Sequence, residues 1–188
     1  MLAMTAAACG FLLGGAAVAA GITVHAARNR DVTINDPARI VSIGGAITEI
    51  LYALGFEDRL AGVDATSLYP AAARAKPNVG YMRQLSAEGV LGLNPSLVLA
   101  VQGSGPKEAM DLLEAAKVPL VLVPEIFSEQ GLLDKIRMVG HAMDADKRAE
   151  CLTAVVTDDL AQLRSLRAKV TKPVRVMFVM SMLNGRAM

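Results

Sequence analysis

Two unbroken apolar runs, Ser96-Leu97-Val98-Leu99-Ala100-Val101 and Val118-Pro119-Leu120-Val121-Leu122-Val123, constrain most strongly what this chain can fold into. A strand that is apolar at every position is covered on both faces, which is the pattern of a parallel sheet inside α/β layers. Between the two runs, Gly103-Ser104-Gly105-Pro106 turns into a helix predicted over Lys107–Lys117, with Met110, Leu112, Leu113 and Ala116 facing inward. Pro124 ends the second run, and Ser128 caps a further helix that reaches about Met143.

The same alternation begins earlier. Arg39-Ile40-Val41-Ser42-Ile43 reads as a strand ending in Gly44-Gly45, and Ile47, Ile50, Leu51 and Leu54 form a helix face that Gly55 stops. Leu60-Ala61-Gly62-Val63-Asp64 is the next strand. A loop follows, with Ser67, Pro70, Pro77 and a short helical piece over Ala71–Lys76. Ser86 is a good N-cap for a brief helix to Leu93, with Glu88 in its first turn and Asn94-Pro95 at its end.

Asp146–Val170 differs in kind. It holds no Gly or Pro and repeats apolar residues at Leu152, Val156, Leu160, Leu163 and Leu166. At 1.5 Å per residue a helix of that length spans roughly 37 Å, too long for an ordinary crossover in a small sheet. Thr171-Lys172-Pro173 stops it, and Val174–Met180 reads as a new strand close to the last residue of the sequence. One strand cannot make a sheet, so these residues are expected to open a second lobe whose body is missing; pairing with the edge of the first sheet is the other reading.

Met1–Ala27 carries no Asp, Glu, Lys or Arg and is rich in small apolar residues. It reads as a secretory signal with cleavage options at Ala17-Val18-Ala19 and Val24-His25-Ala26, against an uncleaved anchor or a lipid attachment at Cys9. Removal of Cys9 with the leader would leave Cys151 alone, unable to form an intrachain disulfide and expected to be a small buried residue. The expected organisation is therefore a leader over 1–27, an α/β ligand-binding lobe over 28–145, a long helix over 146–170 and the start of a truncated lobe over 171–188.

The formal net charge of +1, with 20% charged residues, implies no general affinity for nucleic acid, and 4% aromatics leave little for stacking on bases. Gly44-Gly45 lacks the G-x-G-x-x-G spacing of a dinucleotide site, and neither a P-loop nor a G-x-S-x-G elbow occurs. Two histidines and two cysteines are too few for a structural zinc site. His141 reads as a helix-terminal residue and Glu49 as a solvated helix charge.

The chemistry is concentrated in Val79-Gly80-Tyr81-Met82-Arg83, just ahead of the Ser86 cap. A cation near a phenol favours its ionised form. A phenolate is a hard oxygen donor for Fe(III), and tyrosine is known among haem ligands. The plainer reading is a half-buried loop tyrosine bonded to backbone, beside a surface arginine. Tyr69 could line the same cleft or stabilise the turn at Pro70.

The order Gly44-Gly45-Ala46-Ile47-Thr48-Glu49-Ile50-Leu51, Gly62-Val63-Asp64-Ala65-Thr66-Ser67-Leu68-Tyr69-Pro70, then Val79–Leu91, resembles the haemin-binding periplasmic proteins of bacterial haem ABC importers. These belong to the siderophore and cobalamin class, with two Rossmann-like lobes joined by one helix. The resemblance covers Arg39 onward and is most specific at Gly80-Tyr81-Met82-Arg83. It implies a non-enzymatic periplasmic receptor that captures haem and delivers it to an inner-membrane permease with its ATPase. It further implies Tyr81 as the iron ligand, Arg83 as its support, Glu88 as the carboxylate that docks on the permease, and Asp146 onward as the interlobe helix. Some members carry a histidine ligand after the strand matching Phe178–Ser181; here Met182 stands nearby, either a weak thioether contact or packing. The alternatives are a receptor for another iron chelate or a corrinoid, or a small α/β enzyme with an exposed tyrosine.

Overall fold

The computed structural model of the chain describes residues 21–179, 182–183 and 186–187. Strands β1 (Ile22–Ala26) and β2 (Arg30–Ile34) form an antiparallel hairpin. The three-residue loop Ala27-Arg28-Asn29 joins them, with Arg28 and Asn29 at φ 65° and 56°. Then follow β3 (Ile40–Ile43), α1 (Gly45–Ala53), β4 (Leu60–Val63), α2 (Ala87–Leu91), β5 (Leu97–Val101), α3 (Lys107–Ala115), β6 (Leu120–Val123), α4 (Glu129–Ala142) and α5 (Asp146–Ala168). Two-residue strands β7 (Met182–Leu183) and β8 (Arg186–Ala187) pair with each other.

The central sheet is parallel, in the order β4-β3-β5-β6. Its strands feed two cores, as an unbroken apolar strand demands. Leu97, Leu99 and Val101 face α1, α4 and the hairpin, while Val98 and Ala100 face α2 and α3 with Val90, Met110 and Leu113. This is the expected Rossmann-like α/β lobe.

Four expectations need correction. The sequence reading ends the leader at Ala27, yet Val24 and Ala26 are buried beside Val32 and Ile34 in the main core, and the Ala27 amide bonds the Leu122 carbonyl at 2.8 Å. The folded lobe therefore includes Ile22–Ala27, and the cleavage option at Ala26 would remove a core strand. The first twenty residues of the expected leader, with Cys9 and Ala17–Ala19, lie outside the described residues. Cys151 is exposed, because α5 turns only Ala149 and Thr153 fully inward. Leu112 and Ala116 are also exposed, since nine-residue α3 buries the narrow stripe Ala109, Met110 and Leu113.

Helix α5 has 23 residues, about 35 Å at 1.5 Å per residue. It runs back along α4, tied by His141–Asp146 at 3.0 Å, Arg137–Glu150 at 3.0 Å and the Arg164–Glu129 pair. His141 sits at the end of α4, as expected. From Ala161 onward the side chains of α5 are exposed. The strand expected at Val174–Met180 is not formed over residues 174–179, which have no regular structure and exposed side chains. A strand needs a neighbouring backbone to bond, and these residues have none to pair with among those described. Met180 and Ser181 lie outside the described residues, as does the side chain of Met182. Among the described residues, no helix is long and apolar enough to cross a membrane.

Candidate ligand-binding cleft

In the order β4-β3-β5-β6, the connection from β3 goes to one side and the next strand falls on the other. Such a reversal leaves a crevice outside the carboxyl ends of the strands, where open α/β sheets bind ligands. Four loops meet there, after β3, β4, β5 and β6.

The first two are locked by Asp64, 1% exposed at the end of β4. Its Oδ1 accepts from the Gly44 amide at 3.0 Å and the Ser67 hydroxyl at 3.0 Å, and its Oδ2 accepts from the Thr66 amide at 3.1 Å. The Thr66 hydroxyl lies 3.0 and 2.8 Å from the two carboxylate oxygens and accepts from the Gly45 amide at 2.9 Å. Hydroxyls of Ser67, Thr48 and Ser42 continue the chain inward at 2.7 and 2.8 Å. A Cβ on Gly45 would stand 2.6 Å from the Thr66 carbonyl oxygen, so this approach needs glycine.

The loop bearing the tyrosine is pinned at both ends. On the β4 side, Asn78 bridges Val63, the Val79 amide bonds the Val63 carbonyl at 3.0 Å, and the Gly80 carbonyl accepts from Ala65 at 2.8 Å. On the β5 side, the Gly105 amide bonds the Met82 carbonyl at 2.9 Å and the Leu85 amide bonds the Gly105 carbonyl at 2.9 Å. A turn closed by Gln84 on Tyr81 at 2.7 Å lies between, and Ser86 caps α2 through the Gly89 amide at 3.2 Å.

Beside this loop opens a cleft of about 430 Å³. Met82 and Arg83 form one wall, Val101, Gln102 and Gly103 the floor, and Glu125 and Phe127 the other wall. Phe127 is 93% exposed. It precedes the Ser128 cap, where an apolar residue ordinarily packs on the fourth helical residue, here Leu132; its exposure shows that it is not so covered. Glu125 is held from behind by Lys135, whose Nζ donates to Oε1 at 2.8 Å and Oε2 at 3.0 Å. The Glu125 amide donates to Gln102 Oε1 at 3.4 Å.

Tyr81 is 44% exposed, so its ring is not turned into the interior, and its hydroxyl bonds no described residue. Arg83 lines the cleft and has no ion-pair partner among the described residues. Tyr81 adjoins the cleft through Met82 without lining it, Tyr69 is exposed and also outside the lining, and Glu88 is exposed on the first turn of α2. The cleft thus brings Arg83, a residue the sequence singles out, together with Gln102, Glu125 and Phe127, which it does not. A phenylalanine between a strand-ending proline and a helix cap was the available signal for the last. Among the described residues, no three His, Cys, Asp or Glu side chains converge to hold a metal ion.

Comparison with known proteins sets this geometry in a family. Residues 40–186 match the family model described as periplasmic binding protein. An uncharacterized ABC transporter substrate-binding lipoprotein of Bacillus subtilis, YvrC, is 33% identical over 154 residues, which are 80% of this chain and 49% of the relative. A vitamin B12-binding protein of Yersinia pestis is 33% identical over 112 residues, 60% of this chain and 36% of the relative. Among solved structures, the periplasmic heme-binding protein RhuT from Roseiflexus sp. RS-1, in apo form, superposes with a TM-score of 0.70 at 42% identity, covering 72% of this chain and 52% of that one. The chain spans about half the length, or less, of these relatives. With its parallel sheet, carboxyl-end cleft and match over residues 40–186, the chain belongs to the periplasmic binding protein family.

Proposed function

We propose that this chain carries the haem-capturing lobe of an extracytoplasmic receptor that feeds an ABC-type permease. The observation that carries the reading is the Tyr81 loop: pinned to β4 and to the loop after β5, it leaves the phenol exposed and unbonded among the described residues. A fixed oxygen donor beside a cleft that offers Met82, Val101 and Phe127 as apolar surface, Arg83 as a cation and a Glu125 already paired with Lys135 suits a flat, largely apolar iron macrocycle. Tyr81 supplies the axial oxygen, losing its proton to do so as metal ligands must. Met82 and Phe127 offer apolar surface, and Arg83 supplies positive charge to the iron-bound face. Solved relatives with heme-binding names at 42% and 36% identity support the choice of ligand. No bond in the cargo is made or broken.

The rest of the reading follows from the same family. Glu88, exposed on α2 at the carboxyl-end side of the lobe, offers a carboxylate for permease docking. The leader, within the first twenty residues, directs export. Helix α5 serves as the connection to a second lobe like those of the longer relatives.

The test is a visible spectrum of the purified protein with haemin. The expected result is a high-spin spectrum with a tyrosinate charge-transfer band that Tyr81→Ala removes; an unchanged band in that variant overturns the ligand assignment. Corrinoid capture is the second reading, favoured by the vitamin B12-binding relative. Tight binding of cobalamin with no response to haemin would establish it instead.

A further inference from the structure

Lys135 occupies a position that packing alone would give to an apolar residue. Helix α4 buries Gly131, Lys135, Ile136, Val139 and Ala142, and Lys135 is only 7% exposed in that stripe. Burying an ammonium costs free energy that an ion pair seldom recovers in full, and an apolar side chain of similar volume usually serves stability as well or better. A local rule broken in this way points to a role outside the core.

The role lies in the cleft wall. Lys135 bonds both oxygens of Glu125, which is 30% exposed and lines the cleft opposite Met82 and Arg83. Of the charged side chains lining the cleft, Glu125 is thereby compensated from behind, while Arg83 has no ion-pair partner among the described residues. Gln102, the polar side chain of the floor, is neutral.

We propose that Lys135 is a positioning residue for ligand selection: by cancelling the Glu125 charge it leaves Arg83 as the net charge of the cleft, so that the site takes a macrocycle bearing free carboxylates. This rests on the haem reading and narrows it to the acid form of the ligand. Without Lys135, the Glu125 carboxylate would face the ligand uncompensated, and like charges in a partly desolvated site repel strongly.

The experiment compares haemin with haemin dimethyl ester, whose carboxylates are blocked, by titration in the Soret region against wild type, Lys135→Met and Lys135→Met/Glu125→Gln. Wild type is expected to favour haemin over the ester by about tenfold, the ratio set by ~1.4 kcal/mol of charge interaction. Lys135→Met should lose that preference, with ester binding little changed. The double variant, with no buried charge left unpaired, should regain it to within about threefold. Equal weakening of haemin and ester in Lys135→Met assigns Lys135 a purely structural part and overturns the proposal. So does a double variant that does not regain the preference, and that arm decides alone if Lys135→Met does not fold. Wild type that binds neither compound removes the haem reading and this inference together. A wild type with the tyrosinate band but an unaltered preference in Lys135→Met removes only the inference.

Discussion

The Gly105 amide donates to the Met82 carbonyl at 2.9 Å, and through this bond the loop that carries Tyr81 is fastened to the loop leaving β5. The Gly105 carbonyl accepts from Leu85 at the same distance, so the two loops share a pair of bonds as strands do. On the other flank, Gly80 adopts φ +97°, its amide held by Asn78 Oδ1 at 2.7 Å. A Cβ at Gly80 would meet only the Gln84 carbonyl oxygen, at 3.7 Å, so space is no obstacle there and the backbone conformation is.

Gly80→Ala is therefore expected to cost roughly 1–2 kcal/mol, the penalty of a side chain at positive φ. Relief of that strain would displace Tyr81, its direct neighbour. Haemin affinity should fall more than stability does, and a denaturant series alongside a haemin titration checks both. Loss of stability with unchanged affinity would show that the loop holds Tyr81 in place without Gly80.

Asp64→Ala should be among the most damaging single changes in the lobe. It removes the acceptor of the Gly44 and Thr66 amides and of the Ser67 hydroxyl. Each buried donor left unpaired costs about 1–3 kcal/mol, so a loss of roughly 3 kcal/mol or more is expected. Thermal unfolding would register it. The Thr66→Val change, which keeps the carboxylate and its backbone donors, should cost clearly less.

Val24 tests where the folded lobe begins. Its side chain is buried in the core with Ile34 and Val32, and an unpaired charge placed there is destabilising by roughly 3 kcal/mol or more. Val24→Asp should lower the unfolding midpoint sharply, whereas His25→Ala, on the exposed side of β1 in a surface pair with Asp31, should change it by under about 1 kcal/mol. Similar midpoints for the two variants would place Ile22–Ala26 outside the folded lobe.

How much of this was readable beforehand follows from which signals were local. Leu97–Val101 and Leu120–Val123 announce a doubly covered sheet by composition alone, and Ser86 and Ser128 cap the helices they were expected to cap. The hairpin was hidden because Ile22, Val24 and Ala26 continue the apolar run read as a leader, and only the alternation Val32, Ile34 after Asn29 marks a turn-linked partner. Tyr81 and Arg83 stood out as a pair two residues apart. Glu125 and Lys135 lie ten residues apart across a cap and a helix, and nothing in their spacing reveals that one lines a cleft and the other supports it from the core.

Tyr52 gives the lobe an alkaline signature. Burial holds its phenol above the ordinary value of 10.0, with Glu57 and Asp58 adding to the effect. A phenol harder to ionise in the folded chain than in the unfolded one contributes nothing below pH 10.0, where both states keep the proton. Above that pH the unfolded state releases its proton first, so stability falls as pH rises toward the folded value. Tyr52→Phe should flatten this part of the profile, measured as the difference between variant and wild type in urea midpoints from pH 9 to 11.

Arg83 and Phe127 face each other across the cleft as charge and apolar surface, so their removal should separate by ligand and by salt. Arg83→Ala takes away a cleft cation that has no ion-pair partner among the described residues. It should weaken haemin by about tenfold at low ionic strength and by less at high salt, because an exposed charge is screened within a Debye length of about 10 Å at 0.1 M. Phe127→Ser removes an exposed ring that packs on little in the free protein, so stability should stay within about 0.5 kcal/mol of wild type. Its effect on haemin should equally be about tenfold yet independent of salt, since apolar burial carries no charge to screen. Paired titrations at two salt concentrations read both slopes. A salt-sensitive Phe127→Ser, or an Arg83→Ala indifferent to salt, would mean that the macrocycle does not lie between these two walls.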